Sequence, residues 1–246
     1  MALNLGSVPF APWIMRGESI VGTASLRGKR SSLPNGLVAM PGPALVLATR
    51  FTESPVGPYL RLAIAEPARL GMRPGWTLTA VVVDNVHARV GEKLNWGIPA
   101  ELGTLRWLQH DEERELSWEG RDMSVRVVPR GPRMPIMVPL RSLQERDDGP
   151  VVVPGRIGGM ARFGPVTVTA DPADHLSFAA GRHGGFLVTG LQQIMREARQ
   201  PVGLRATLLA PQRAPTPVLF GENGAVRCAP DPGRIAQLAR AHASHA

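Results

Sequence analysis

Leu37-Val38-Ala39-Met40, then Pro41-Gly42-Pro43, then Ala44-Leu45-Val46-Leu47-Ala48-Thr49-Arg50-Phe51 is the stretch that decides the fold class. Two short apolar runs flank a proline–glycine turn. The second run is too short for a typical buried helix and is bounded by turn residues, so it reads as a buried β-strand. The same pattern extends in both directions. Tyr59, Leu60, Leu62 and Ile64 mostly alternate with Arg61 and Ala63, and further strands are expected at Trp76–Val83, Thr104–Leu108, Ser124–Val128, Pro135–Leu140 and Val166–Ala170. Between two of these lies His110-Asp111-Glu112-Glu113-Arg114-Glu115, a charge run that suits a solvated hairpin tip. Helices are expected only at Gln192–Arg199 and, after Pro232-Gly233, at Arg234–Ala243. Asn35-Gly36 and Asn223-Gly224 read as tight turns.

The chain has 246 residues, 43% of them hydrophobic, enough for a sizeable core. Its 27 glycines and 24 prolines are spread along the whole length, which fits many short strands and turns and not a disordered linker. No internal repeat and no domain boundary is seen. The expectation is one mostly β (α+β) domain over residues 1–246 that closes into a barrel or cone with a few short helices, with residues 232–246 a frayed tail.

Charge is the feature easiest to over-read. The formal net charge is +8, yet Lys29 and Lys93 are the only lysines, so the basic charge is nearly all arginine. Arg16, Arg61, Arg89, Arg126, Arg156 and Arg182 fall in separate segments, and aromatic residues make up only 5%. Nucleic-acid binders cluster their cations on one face and interleave aromatics for stacking, so the composition argues against nucleic acid as a partner. Cys228 is the single cysteine, which excludes an internal disulfide framework. No leader-like start and no long uncharged apolar run is present, and mean hydropathy is near zero. A cytoplasmic protein with no membrane association is expected.

Chemistry-bearing motifs are sparse. Asp174-His175 and His183 lie among Gly181, Gly184 and Gly185, which reads as a mobile loop and not a metal site. No G-x-S-x-G elbow occurs, and Gly155-Arg156-Ile157-Gly158-Gly159 lacks the spacing of a dinucleotide-binding loop. No metal and no cofactor is expected.

Four blocks, in order, carry a resemblance. They are Pro12-Trp13-Ile14-Met15-Arg16-Gly17-Glu18, Arg50-Phe51-Thr52-Glu53-Ser54-Pro55-Val56-Gly57-Pro58-Tyr59, Val82-Val83-Asp84-Asn85, and Gly91-Glu92-Lys93-Leu94-Asn95-Trp96-Gly97-Ile98-Pro99-Ala100-Glu101-Leu102-Gly103. Together they resemble the acetoacetate decarboxylase superfamily, whose active-site stretch reads G-R-E-x-W-G-[FIY]-P-K-[KE]-L-[AG]. In that family the lysine after the proline forms a Schiff base with a substrate ketone, its amine activated by desolvation and a neighbouring positive charge. Position 100 holds alanine, and a methyl group forms no imine. Glu101 stands where a second lysine is common, and the family's glutamate aligns with Leu94.

The resemblance implies a pocket lined by Glu53, Trp96, Ala100 and Glu101. Glu53 matches a pocket carboxylate and has two readings: a general acid or base raised by burial, or an anchor of the Ser54–Pro58 turn. Arg16 lies near the family's carboxylate-binding arginine; its alternative is a surface arginine on an edge strand. Lys93 is the sole nearby amine that could replace the missing lysine, and otherwise an exposed strand lysine. Three functions follow as expectations. One is non-covalent binding of a small keto acid or carbonyl metabolite, with room for acid–base chemistry of the isomerase, dehydratase or cyclase type through Glu53 and hence a lyase-type enzyme without the lysine imine. Another is a pseudoenzyme that binds a ligand or serves assembly; the last is a decarboxylase using Lys93. Expected partners are a small carbonyl or carboxylate ligand and further copies of the chain in a homo-oligomer.

Overall fold

A computed structural model describes residues 8–26 and 33–201. Its elements run β1 (Trp13–Ala24), β2 (Leu37–Ala39), β3 (Ala44–Glu53), β4 (Tyr59–Leu70), β5 (Arg73–Val83), α1 (Val86–Trp96), β6 (Ala100–Leu102), β7 (Thr104–His110), β8 (Glu113–Glu119), β9 (Met123–Val127), β10 (Met134–Arg146), β11 (Gly149–Thr169) and β12 (Gly181–Met195). The sheet order is β10-β5-β4-β3-β1-β12-β11-β9-β8-β7, and β10 also pairs with β11. That extra pairing closes β10-β5-β4-β3-β1-β12-β11 into a seven-membered ring. The mostly β expectation holds. The expected C-terminal helix, the Asn223-Gly224 turn and Cys228 lie outside the described residues.

Period-2 alternation assigns each strand two faces, and on β3 and β4 both are covered. On β3, Val46 and Ala48 point one way and Leu45, Leu47 and Thr49 the other. Val46 and Ala48 join Ile20, Leu62, Ile64, Leu105, Leu116 and Val125 in a dry core between the ring and the β7–β9 meander. Leu45, Leu47 and Thr49 face the ring's interior. The long β11 makes this possible. Its first part pairs with β10 and its last four residues, Val166–Thr169, pair with β9, so one strand belongs to both layers.

The expected helix at Gln192–Arg199 is instead the end of β12, which finishes at Met195. Leu191, Gln193 and Met195 are buried at period 2, and the strand is laddered on both sides, to β1 and to β11. Two ladders of backbone hydrogen bonds outweigh the modest helix propensity of Gln, Met and Arg. The expected loop around His183 is likewise the start of β12, where Gly185 lies so close to the Val21 carbonyl that a side chain has no room.

The helix that does form, α1, has clear signals. Asn85 caps it, its side-chain oxygen accepting from His87 N at 2.8 Å and Ala88 N at 3.1 Å. Gly97 ends it in the left-handed conformation at φ 72°. Its buried face includes Ala88, Glu92 and Trp96, each four residues from the last. Trp96 packs edge-on against Trp13 with ring centroids 5.0 Å apart, fixing the helix against β1.

Candidate functional site

Glu92 sits mid-stripe on the buried face of α1 and is fully enclosed, at 0% exposure. A lone carboxylate there would be very costly, and two neighbours answer it. Tyr59 at the start of β4 donates its O–H to Glu92 Oε1 at 3.0 Å, and Arg61, two residues on, places Nη1 3.3 Å from the same oxygen. Arg61 is only 4% exposed, reaches Gln193 Oε1 of β12 with Nη2 at 3.3 Å, and lies over the Phe51 ring at 5.0 Å. Burial, and after it the adjacent Glu92 carboxylate, pushes the Tyr59 phenol well above its ordinary value. Two atoms of this cluster stay without a partner, Arg61 Nε and Glu92 Oε2. The cluster as a whole is electrically neutral, one guanidinium against one carboxylate.

Arg61 also faces a cavity of about 190 Å³ inside the ring. Its walls are mostly apolar, including Leu45, Leu47, Trp76, Leu78, Phe186 and Val188. The polar lining is confined to Ser19, Thr49, Arg61, Ser142 and Gln193. Ser19 and Thr49 satisfy each other, hydroxyl to hydroxyl at 2.8 Å, and Ser142 accepts from Gln144 Nε2 at 3.0 Å. Arg61 Nε is thus the one unpartnered buried N–H on a residue of the lining. A largely apolar cavity with a few convergent polar groups is the usual form of a small-molecule site. Among the described residues, no group of three or more His, Cys, Asp or Glu side chains is placed to hold a metal. No described helix is long and apolar enough to cross a membrane.

The arrangement of strands matches solved structures. Acetoacetate decarboxylase from Legionella pneumophila superposes with a TM-score of 0.58 at 14% identity, over 81% of this chain and 91% of that one. The chain has the acetoacetate decarboxylase fold. The enduracididine biosynthesis enzyme MppR gives a TM-score of 0.59 at 17% identity, over 78% and 88% of the two chains. An acetoacetate decarboxylase-like enzyme from Sphingomonas wittichii RW1 gives 0.54 at 13%, over 77% and 91%. MppR has been solved with pyruvate and with the condensation product of pyruvate and imidazole 4-carboxaldehyde. No family model matches the sequence, and no curated protein does.

Within this acetoacetate decarboxylase-like fold, the residues expected to share a pocket are dispersed. Glu53 is at the end of β3, with 67% of its side chain exposed, and pairs with Arg16 Nη1 at 3.1 Å. Both are therefore surface groups, and Arg16 lies in a shallow depression with Arg50 and Gln192. The 54–58 turn is held by Ser54, whose hydroxyl accepts from Val56 N at 3.2 Å, and not by Glu53. Trp96 is fully buried, its Nε1 donating to Arg196 O at 2.9 Å. Ala100, on β6, lines an open groove with Lys93, Glu101, Arg146, Asp147 and Asp148. Lys93 is exposed in the last turn of α1, a helix position and not the expected strand. None of Glu53, Arg16, Lys93, Trp96, Ala100 and Glu101 lines the ring's cavity.

The residues that the sequence reading missed are Arg61, Glu92 and Gln193. Arg61 was expected on the polar side of an alternating strand, but the β7–β9 layer covers that strand's other face and leaves neither side to water. The aligned Leu94 is exposed, while Glu92, two residues earlier, carries the helix's buried carboxylate.

Proposed function

We propose that the ring's cavity is a non-covalent binding site for a small neutral carbonyl compound, with its oxygen hydrogen-bonded to Arg61. The observation that carries this is the buried, unpartnered Nε of Arg61 on a residue that lines an otherwise apolar space. An unmade hydrogen bond at such a group costs about 1–3 kcal/mol, which an acceptor oxygen would recover. Charge decides between acceptors. Glu92 already balances Arg61, so a carboxylate ligand would add a second buried anion, whereas a ketone, aldehyde or ester adds none. The cavity's volume also sets a scale. An engineered cavity of about 150 Å³ holds benzene, so roughly eight non-hydrogen atoms suit this one.

Binding is favoured over acid–base catalysis because Arg61 is the one ionisable residue of the lining, and a guanidinium keeps its proton. An imine route through Lys93 is disfavoured because that amine is exposed and outside the cavity. Pyruvate, found on MppR, is the natural competitor to test.

Calorimetric titration with 2-butanone and with pyruvate separates these readings. We expect the ketone to bind at least about tenfold tighter than pyruvate. Ala65→Leu, which fills the cavity from β4, should abolish ketone binding while the protein stays folded. Borohydride added with either ligand should leave the protein's mass unchanged. A preference for pyruvate, or an adduct on Lys93, would overturn the proposal.

A further inference from the structure

The ring is joined unevenly. β10 pairs with β11 along its whole length, from Met134↔Ala161 to Arg146↔Gly149. It meets β5 at a single backbone pair, Ser142↔Trp76. On the N-terminal side of Ser142, the edge of β10 that faces β5 has no strand partner among the described residues. The same half of β10 supplies Ile136, Val138, Pro139 and Leu140 to the cavity wall, which β5 continues with Trp76, at the paired position, and Leu78 beyond it. Val138 is both a wall residue and 51% exposed, so the cavity reaches the surface there.

What surrounds that mouth is unusual. Met134-Pro135-Ile136-Met137-Val138-Pro139-Leu140 contains no charged or hydrogen-bonding side chain. Met137 is 76% exposed, and Met134 and Met160, the latter on the paired β11, are also partly open to water. Exposed apolar surface continuous with a ligand cavity commonly marks a binding surface. An added β-strand does not suit it, because Pro135 and Pro139 lack the N–H that a ladder needs and blunt the edge. Methionines fit a flexible apolar chain well, being unbranched and adaptable.

We infer that the ligand is amphipathic: its carbonyl lies at Arg61 and its apolar chain, longer than the cavity, leaves through the β5–β10 seam and lies along Met134, Met137 and Val138. This rests on the cavity being the binding site. It makes the ligand class long-chain alkyl or acyl ketones and related carbonyl compounds, with the head group buried and the tail on the protein surface.

A series of methyl ketones from 2-butanone to 2-dodecanone, titrated calorimetrically, tests it. About eight non-hydrogen atoms fill the cavity. Affinity is expected to keep rising beyond that length, by up to about fourfold per added methylene on the protein surface. Met137→Asp, an exposed change, should cut the ratio of 2-dodecanone to 2-butanone affinity at least about tenfold. The inference fails if affinity peaks near 2-heptanone and then declines, since a closed cavity would reject the longer chain while short ketones still bind. It fails also if Met137→Asp leaves the ratio intact, which would mean unspecific partitioning. Absence of binding by every ketone would overturn the cavity reading itself, and this inference with it.

Discussion

The two faces of β3 and β4 are made of adjacent residues and behave as different materials. Outward, Val46, Ala48, Leu62 and Ile64 meet the β7–β9 meander in a packed apolar layer with almost no exposure. Inward, Leu45, Leu47, Thr49 and Arg61 border an empty volume and carry a buried ion pair. The outer face contributes packing, which leaves the inner face free to hold a void and a charge cluster that would destabilise a smaller domain. The packed layer and the cavity are thus separated across one strand's thickness.

The largest expected effect is on the inner face. Glu92→Met leaves Arg61 buried without its counter-charge and should cost about 3–5 kcal/mol in urea unfolding. Arg61→Met combined with it should restore much of that loss, because no uncompensated buried charge remains, although the Tyr59 hydroxyl and the Gln193 amide oxygen each lose a partner. If the single change costs under about 1 kcal/mol, water reaches the pair and the inner face is not dry.

Next in size is a matched pair of truncations. Leu62→Ala, on the packed face, should cost about 2–5 kcal/mol. Leu47→Ala should cost roughly half as much, since the lost atoms already lack neighbours on the cavity side. Equal costs would erase the contrast between the faces.

The smallest effect appears only in alkali. Tyr59 is the sole tyrosine, so tyrosinate absorbance reports one group. Its folded pKa is raised, so its contribution is intact below about pH 10, the unfolded value, and is lost as pH rises toward the folded one. In that window the unfolded chain has released a proton that the folded one still holds. Stability should then fall by about 1.4 kcal/mol per pH unit, and Tyr59→Phe should remove that component. Ionisation at the same pH in native and urea-unfolded protein would show that the phenol is not enclosed with Glu92.

Legibility in the sequence followed the range of the interactions. Local patterns were readable: the Leu45–Phe51 strand, the charged β7–β8 tip and the strand pattern from Tyr59 onward rest on alternation and turn chemistry alone. α1 also had its capping asparagine and terminating glycine, but Glu92 broke its apolar stripe with a charge and masked the helix. Gln192–Met195 misled in the opposite direction, because the ladders that make it a strand come from β1 and from β11. The candidate site was the least legible part. Arg61 meets Glu92 from 31 positions away and Gln193 from 132, so no short motif spans the cluster. Block-by-block resemblance gave the fold yet placed Glu53 and Ala100 together, whereas the chain puts one on a surface ion pair and the other on an open groove.

The position of β1 in the ring has a consequence for how the protein is made. β1 lies between β3 and β12, with Trp13 paired to Met195, so the first described strand waits for the last described one. At roughly 5–20 residues per second, a ribosome needs on the order of ten to forty seconds to supply β12 after β1 has formed. Through that interval the nascent sheet β1-β3-β4-β5 exposes Leu45, Leu47, Trp76 and Leu78, the residues that later line the cavity. Vectorial synthesis thus presents the cavity-lining face to the cell before it can enclose anything, and the chain's yield depends on what shields that face until the ring closes.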